Sequence, residues 1–307
     1  MAAPLKVLTW NVQFMAGKNY CFFWDRSDGG GKDWRVRPAD TAHTLDEVAR
    51  VLRDENADIV LLQEVDVGSR RVNYQDQEAE LVGRVGDIYP HRASCYYWHA
   101  PFVPHPKIMG PVGMKLLTLS RHPMVLAQDV PLPKIPRNWF VDLFHIKRRV
   151  LEVRVRLPDG RQLTAFNTHL EAFPDGDDVV LRQVRGLLAL WQGRADEAWV
   201  AGGDFNLIPP GAYGALNEIQ RELYRPESEM ALIYKAHSVV PTLEQVTGPG
   251  AKDWATFNSN DKRIGYPDRT LDYLVHSAQL TVALARVRRG DTLKISDHLP
   301  LVAQLRA

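Results

Sequence analysis

The sequence predicts an α/β fold in which two packed β-sheets are flanked by helices. Short β-like runs recur along the whole chain, and amphipathic helical patterns lie between them. No Ser/Gly-rich linker divides the 307 residues, although a chain of this length could also hold two domains. We therefore expect one domain that spans residues 1–307.

The composition excludes several classes of protein. The hydrophobic share of 45% and the charged share of 24% are those of a folded globular protein and not of a disordered one. Lys and Arg (38) nearly balance Asp and Glu (37), so the chain lacks the basic excess of a nucleic-acid coat or a polybasic membrane arm. We expect free thiols at Cys21 and Cys95, no transmembrane segment and no signal peptide, and hence a cytoplasmic protein.

The predicted strands are short apolar or alternating runs. In 151–157 apolar and charged residues alternate, which suits a strand with one buried face, and Pro158-Asp159-Gly160 then predicts a hairpin turn. The full set of predicted strands is 5–10, 58–63, 114–120, 150–157, 162–168, 198–203, 271–276 and 299–305.

Four segments show a helical pattern. In the first, Leu45, Val48, Ala49 and Leu52 fall at the spacing of one helix face. The predicted helices are 41–56, 77–85, 178–194 and 212–223. Two further segments are predicted to be long loops, 15–38 with three consecutive glycines and 96–111 with four prolines.

Polar side chains occur where the predicted strands end. One carboxylate, Asp272, lies inside an apolar strand, where burial is unfavourable unless the charge is paired. Oxygen and imidazole groups that meet at one sheet edge would bind a hard divalent cation and leave room for a phosphate. Hydrolysis of a phosphate ester needs a cation, an oriented water and a proton source. The candidate residues are Asn11, Glu64, His169, Asp204, Asn206, Asp272, Asp297 and His298.

Each of these residues also has a purely structural interpretation. Asn11 could cap a turn, Glu64 could be an ordinary strand-end charge, and His169 could be a hydrogen-bonded structural histidine. The stretch 202–206 could be only a turn, and Asp297 could cap a loop. The argument for a site depends on the whole set occurring together.

Six motifs in order give the chain a family resemblance that covers residues 7–303. They are Thr9-Trp10-Asn11-Val12, Leu62-Gln63-Glu64-Val65, Asn167-Thr168-His169-Leu170, Gly203-Asp204-Phe205-Asn206, Leu271-Asp272-Tyr273 and Ser296-Asp297-His298-Leu299-Pro300. In these motifs the sequence resembles the endonuclease/exonuclease/phosphatase superfamily of metal-dependent phosphohydrolases. The resemblance implies a four-layer α/β sandwich and hydrolysis of a phosphate ester with Mg²⁺, for which Mn²⁺ would substitute.

The resemblance also implies the metal ligands. Glu64 would be the main Mg²⁺ ligand, with Asn11 and Asp297 close to the ion. The residues after Asn11 supply no second acidic ligand, so a single-metal site is the simpler expectation.

The remaining candidates would carry the chemistry in such a site. Asp204 and Asn206 would hold the attacking water and the scissile phosphate. His298 would act as the base or as a phosphate contact, oriented by Asp272, and whether Asp204 or His298 takes the proton of the water stays open. His169 would stabilise the transition state or protonate the leaving oxygen. Abasic-site endonucleases carry a tyrosine at that position, which makes their activity less expected here.

The substrate is less defined than the chemistry. Five arginines (Arg70, Arg71, Arg121, Arg148 and Arg149) could contact phosphates or could be surface charges. Aromatic residues in 96–99 and 130–146 could form an apolar lip against a base or a lipid surface, or could simply pack in the core. We expect a lipid-type or small phosphodiester, with peripheral membrane contact left open. The alternatives are a nuclease on DNA or RNA and a catalytically inactive binding module.

Overall fold

The structure is a computed structural model that describes residues 4–172 and 178–306. These residues form twelve strands: β1 (Leu5–Asn11), β2 (Ile59–Asp66), β3 (His91–Val103), β4 (Gly110–Ser120), β5 (Met124–Pro131), β6 (Arg149–Arg156), β7 (Gln162–His169), β8 (Trp199–Asp204), β9 (Ser238–Val240), β10 (Asp272–His276), β11 (Thr281–Val287) and β12 (Leu301–Arg306). The α-helices of the same residues are α1 (Pro38–Glu55), α2 (Gln77–Val85), α3 (Trp139–Asp142), α4 (Val179–Gln192), α5 (Glu218–Arg221), α6 (Met230–Ala236) and α7 (Leu243–Thr247).

The strands form two six-stranded mixed sheets. The strand order is β11-β12-β1-β2-β4-β3 in the first sheet and β5-β6-β7-β8-β10-β9 in the second. In each sheet one central pair is parallel, β1 with β2 and β7 with β8, and the other neighbours are antiparallel. Adding six to each strand number of the first sheet, with numbering restarting at β1 after β12, gives the strand order of the second sheet. The two sheets therefore share one topology.

Helices cover the outer face of each sheet. On the first sheet, α1 begins with Pro38 in its first turn and ends where Asn56 adopts the left-handed conformation. Its buried face includes Leu45 and Leu52, which pack with Trp10 and Leu62 of the sheet. On the second sheet, α4 and α6 pack on strands β7, β8 and β10.

A third core lies between the sheets. It joins Leu61 and Leu116 of the first sheet to Val153, Ala165 and Leu274 of the second. The order helix, sheet, sheet, helix confirms the predicted four-layer α/β sandwich.

A polar contact also crosses between the two sheets. Asn167 is buried, and its Nδ2 donates to the carbonyl oxygens of Leu62 (3.0 Å) and Leu117 (3.1 Å). Its Oδ1 accepts a hydrogen bond of 2.8 Å from Nε2 of Gln63. Gln63 directly precedes the candidate residue Glu64 in β2, and Asn167 lies two residues before the candidate residue His169 in β7. This contact therefore joins the two sheets close to both candidates.

Most predicted elements are present, with ends shifted by a few residues. The prediction of a loop over 96–111 was wrong, because β3 and β4 form a long antiparallel hairpin there. The predicted helix 212–223 is broken into a 3₁₀ turn at Ala212–Ala215 and the short α5. Segment 15–38 contains a 3₁₀ turn at Phe23–Asp25 and the first residue of α1 but no strand, as expected of a long loop.

The antiparallel β6–β7 hairpin with a turn at Gly160 confirms another prediction. Cys21 and Cys95 are free thiols, as expected. Among the helices of the described ranges, none has the length and apolar character needed to cross a membrane.

Candidate active site

The carboxyl ends of the two parallel strand pairs meet at one edge of the sandwich. Asn11 ends β1, His169 ends β7 and Asp204 ends β8, with His169 and Asp204 at paired positions. Glu64 lies near the end of β2, where the pairing with β4 shifts register between Leu62 and Val65. Glu64 has a left-handed φ of 61°, and this bulge turns its side chain into the cavity.

Asn11 connects the two sheets at this edge. Its Nδ2 donates to Oε1 of Glu64 (3.2 Å) and to Oδ2 of Asp204 (3.0 Å). Its Oδ1 accepts from the backbone N–H of Gln13 (2.9 Å), so Asn11 caps the following turn as well. The structural and the functional interpretations of Asn11 are thus compatible.

Asp272 and His298 form a buried hydrogen-bonded pair. Nδ1 of His298 lies 2.7 Å from Oδ2 of Asp272, and its Nε2 lies 3.4 Å from Oδ2 of Asp204. Burial alone would lower the pKa of His298, but the charges of Asp272 and Asp204 outweigh it and raise the pKa to about 10. Trp10 holds the His298 backbone through a 2.8 Å hydrogen bond from its Nε1.

His169 has polar neighbours at both of its ring nitrogens, with Oε1 of Glu64 3.9 Å from Nδ1. Its Nε2 lies 3.4 Å from Oδ2 of Asp204, and its Nδ1 lies 3.4 Å from the hydroxyl of Tyr97. Burial and then the positive charges of Arg148 and His298 lower the pKa of His169 well below its usual value. The imidazole is therefore neutral at pH 7 and can donate a hydrogen bond from only one of its nitrogens.

Asp204 lies at the centre of the polar network. Its Oδ1 accepts from the backbone N–H of Asn206 (2.9 Å), which has a left-handed φ of 54°. Nδ2 of Asn206 donates to the Leu170 carbonyl (3.0 Å), which fixes the amide at the cavity wall. Burial raises the pKa of Asp204 to about 6, although the charge of His298 acts in the opposite direction.

Four further carboxylates line the same cavity: Glu64, Asp297, Asp25 and Glu171. Burial and then the charge of Asp297 raise the pKa of Glu64 to about 7 and that of Asp25 to about 8. Burial also raises the pKa of Asp297. Carboxylates that repel one another in a desolvated site fit a hard divalent cation, which favours their ionised form.

A more compact group of potential metal ligands also lies here. Within residues 4–172 and 178–306, ligand atoms of Asp204, Asp272 and His298 all lie within 4.8 Å of one another. This site therefore offers acidic and histidine side chains that could hold a metal ion. Asp272 and His298 are already bonded to each other, so the ligand set Asn11, Glu64 and Asp297 stays our prediction.

The cavity has a volume of about 530 Å³, within the range of about 300–1,000 Å³ typical of small-molecule sites. Asn11 and Asp272 stand behind its wall and contact Asp204 and His298. The other six predicted residues line it: Glu64, His169, Asp204, Asn206, Asp297 and His298. The structure thus brings all eight candidates to one place.

Sequence reasoning missed several lining residues, among them Asp25, Gln13 and Phe14. Asp25 lies in the irregular segment 15–38, and Gln13 and Phe14 follow Asn11 with left-handed φ values of 45° and 39°. Gln13 is buried, and neither of its side-chain polar atoms has a hydrogen-bond partner in the described part of the chain. The only sequence signal nearby was the length of the loop, which predicts function without indicating which residues carry it.

A comparison with protein families agrees with this geometry. The Endonuclease/Exonuclease/phosphatase family matches residues 8–298, nearly the whole chain. The chain belongs to this family. It is therefore an enzyme that hydrolyses phosphoester bonds, and the interpretation as an inactive binding module is set aside.

Solved structures of the same fold cover the chain almost completely. An endonuclease/exonuclease/phosphatase from Beutenbergia cavernae is 24% identical with a TM-score of 0.68, over 99% of this chain and 72% of that one. The human Nocturnin catalytic domain with bound sulfate is 19% identical with a TM-score of 0.61, over 99% and 93%. D. rerio TDP2 with a single-strand DNA product is 15% identical with a TM-score of 0.58, over 100% of both chains. A search of curated proteins returns no match.

Proposed function

We propose that this enzyme is a Mg²⁺-dependent phosphodiesterase that cleaves a lipid-type or small phosphodiester by in-line attack of water. The observation that carries the proposal is the convergence of the acidic, amide and imidazole side chains in one cavity of about 530 Å³. A cavity of this size suits a head group or a small diester better than a long duplex.

The donor set is consistent with a bound cation. Glu64, Asn11 and Asp297 would hold the ion, which supplies positive charge to the phosphoryl oxygens when it is bound. Asp25, on the loop between β1 and α1, adds a further carboxylate to this wall of the cavity.

The protonation states favour Asp204 as the base. With its pKa near 6, the carboxylate of Asp204 is mostly ionised at pH 7 and can accept a proton from water. His298, with its pKa near 10, already carries a proton and suits a hydrogen-bond donor toward Asp204 or the phosphate.

The low pKa of His169 favours one of its two expected roles. A neutral imidazole is a poor proton source, but its N–H can stabilise charge on a phosphoryl oxygen. We therefore assign His169 to transition-state stabilisation and not to protonation of the leaving oxygen.

The lipid-type substrate is supported by an apolar surface next to the cavity. Trp139, Phe140 and Leu143, in and just after α3, expose 76%, 54% and 53% of their surface. The same segment continues to Ile146, which lines the cavity. Exposed aromatic residues beside a site for a phosphate ester suit a lipid interface.

The nuclease alternative also has specific support. Phe23, Trp24 and Trp98 line the cavity and could stack on bases. A neighbour of the same fold, D. rerio TDP2, was solved with a single-strand DNA product.

A panel assay distinguishes these substrates. The enzyme with Mg²⁺ or Mn²⁺ is offered bis-p-nitrophenyl phosphate, p-nitrophenyl phosphate, sphingomyelin, inositol phosphates, plasmid DNA and RNA. We expect turnover of the diester and of the lipid, abolished by EDTA. Preference for the monoester would contradict a phosphodiesterase, and preference for DNA or RNA would select the nuclease.

The cation requirement is tested by replacing Glu64 with Gln. This change keeps the shape of the side chain but removes the charge that would bind Mg²⁺, so we expect weaker Mg²⁺ binding by calorimetry and lower turnover. The control is Glu78→Gln, because Glu78 pairs with Lys115 outside the cavity. Unchanged Mg²⁺ affinity in the Glu64→Gln variant would show that Glu64 is not a Mg²⁺ ligand.

A further inference from the structure

Arg148 is a buried cation with incomplete pairing in the cavity wall. The residue is only 5% exposed, and its Nε and Nη1 have no hydrogen-bond partner among the described residues. Its contact with a carboxylate is a 3.5 Å approach of Nη2 to Oε1 of Glu171, which also lines the cavity. A buried guanidinium with free donors is unfavourable unless a ligand completes its hydrogen bonds.

Two other arginines that line the cavity are each held by a carboxylate at short range. Arg26 donates from Nε to Oδ1 of Asp28 (2.9 Å), and its side chain is 30% exposed to water. Arg71 donates from Nε to Oδ2 of Asp66 (2.8 Å), and its Nη2 lies 2.6 Å from the same oxygen. Both guanidinium charges are therefore compensated without a ligand.

Arg269, which also lines the cavity, is better paired than Arg148 as well. It donates to Oδ2 of Asp268 (2.9 Å) and to the hydroxyl of Tyr224 (3.1 Å). Among the lining arginines of the described chain, Arg148 is thus the one best placed to bind an added anion.

Arg148 and Asp204, the proposed base, lie near different ring nitrogens of His169. Its guanidinium lies 5.4 Å from the ring centre of Tyr97, whose hydroxyl faces Nδ1 of His169. Asp204 faces Nε2, the other ring nitrogen. Oε1 of Glu64 also approaches Nδ1, at 3.9 Å, so the imidazole stands between Arg148 and Asp204 while Glu64 shares the Nδ1 side.

We propose that Arg148 forms a subsite for a second phosphate group of the substrate, on the Nδ1 side of His169. The inference rests on the proposed function and adds to it a preference for phosphate esters that carry another phosphate. Planar guanidinium donors suit this group, because two N–H bonds can reach two of its oxygens.

Binding of inorganic phosphate in EDTA tests the subsite without turnover. In the absence of divalent cations the acidic cluster repels anions, so the difference in phosphate affinity between wild type and an Arg148 variant measures the contribution of Arg148. Compared with wild type, we expect Arg148→Gln to weaken phosphate binding by about tenfold or more, and Arg148→Lys to weaken it less. The control is Arg149→Gln, since Arg149 pairs with Asp129 and does not line the cavity. Equal binding by wild type and a folded Arg148→Gln variant would overturn the proposal.

A substrate pair separates a second phosphate from the scissile one. The p-nitrophenyl ester of thymidine 5′-phosphate is compared with the same ester carrying a 3′-phosphate. We expect wild type to prefer the doubly phosphorylated ester in kcat/KM, and Arg148→Gln to reduce that preference by about tenfold. No preference in wild type, or an equal loss on both esters, would overturn the subsite. Phosphate binding without turnover of any diester would instead contradict the proposed function alone.

Discussion

Asp204 is the residue through which the candidate site is connected. Its Oδ2 lies within 3.4 Å of side-chain nitrogens of Asn11, His169 and His298. These residues come from both sheets and from the loop before β12. A change in the charge of Asp204 therefore acts directly on these three neighbours.

The pair Asp272 and His298 is expected to act as a unit. Asp272→Asn removes the charge that raises the pKa of His298, so both this change and His298→Ala should lower kcat by about 10²-fold or more. In the double variant, kcat should fall no further than in His298→Ala, because the second change has nothing left to disrupt. Multiplicative losses in this cycle would show that the two side chains act independently.

His169 is expected to remain neutral from pH 6 to pH 8. Because its pKa lies well below the ordinary 6.5, its imidazole NMR signals should not titrate in this range. His169→Asn should lower kcat by about 10²-fold, the effect of losing one donor to a transition state. If the His169 signals titrate with a midpoint near pH 7, protonation of the leaving oxygen would again be the favoured role of His169.

At the scale of elements, the contact of Gln63 with Asn167 joins the sheets beneath the site. Asn167→Ala would leave the Gln63 amide and two carbonyl groups without their partner, so the free energy of unfolding should fall by about 3 kcal/mol. Gln162→Ala, at an exposed position of the same strand, should change it by about 0.5 kcal/mol or less. Denaturant unfolding measures both, and equal effects would contradict a role in joining the sheets.

The sequence predicted the elements whose pattern is local. Strands β1, β6 and β7 have apolar or alternating runs, and α1 has a continuous apolar face, so each is recognisable without the rest of the fold. The strands β3 and β11 were missed because they lie at sheet edges with many exposed or polar positions. Edge strands lack the burial that produces a clear pattern.

The same distinction applies to the site. The eight candidates follow, interrupt or directly precede predicted apolar strands, where a polar residue is conspicuous. Asp25 was not predicted, and Arg148 was only one of five arginines considered as phosphate contacts, because their placement in the cavity depends on how distant segments pack. No local pattern carries that information.

At the scale of the whole molecule, we propose that the chain folds as one unit across residues 1–307. The core between the sheets draws side chains from both halves of the chain, and β12 pairs with β1. Neither sheet can therefore bury its inner face alone.

The neighbouring positions of Leu5 and Leu305 in β1 and β12 have a consequence for chain connectivity. A circular permutant that links residue 306 to residue 4 through a short peptide and opens at the exposed turn between Asp159 and Gly160 would begin with β7, α4 and β8. Since the sheets share one topology, this new order repeats the native succession of β1, α1 and β2. We expect the permutant to hydrolyse bis-p-nitrophenyl phosphate and to unfold in a single transition, whereas opening inside buried β2 should prevent folding. Two separate transitions would instead reveal halves that fold independently.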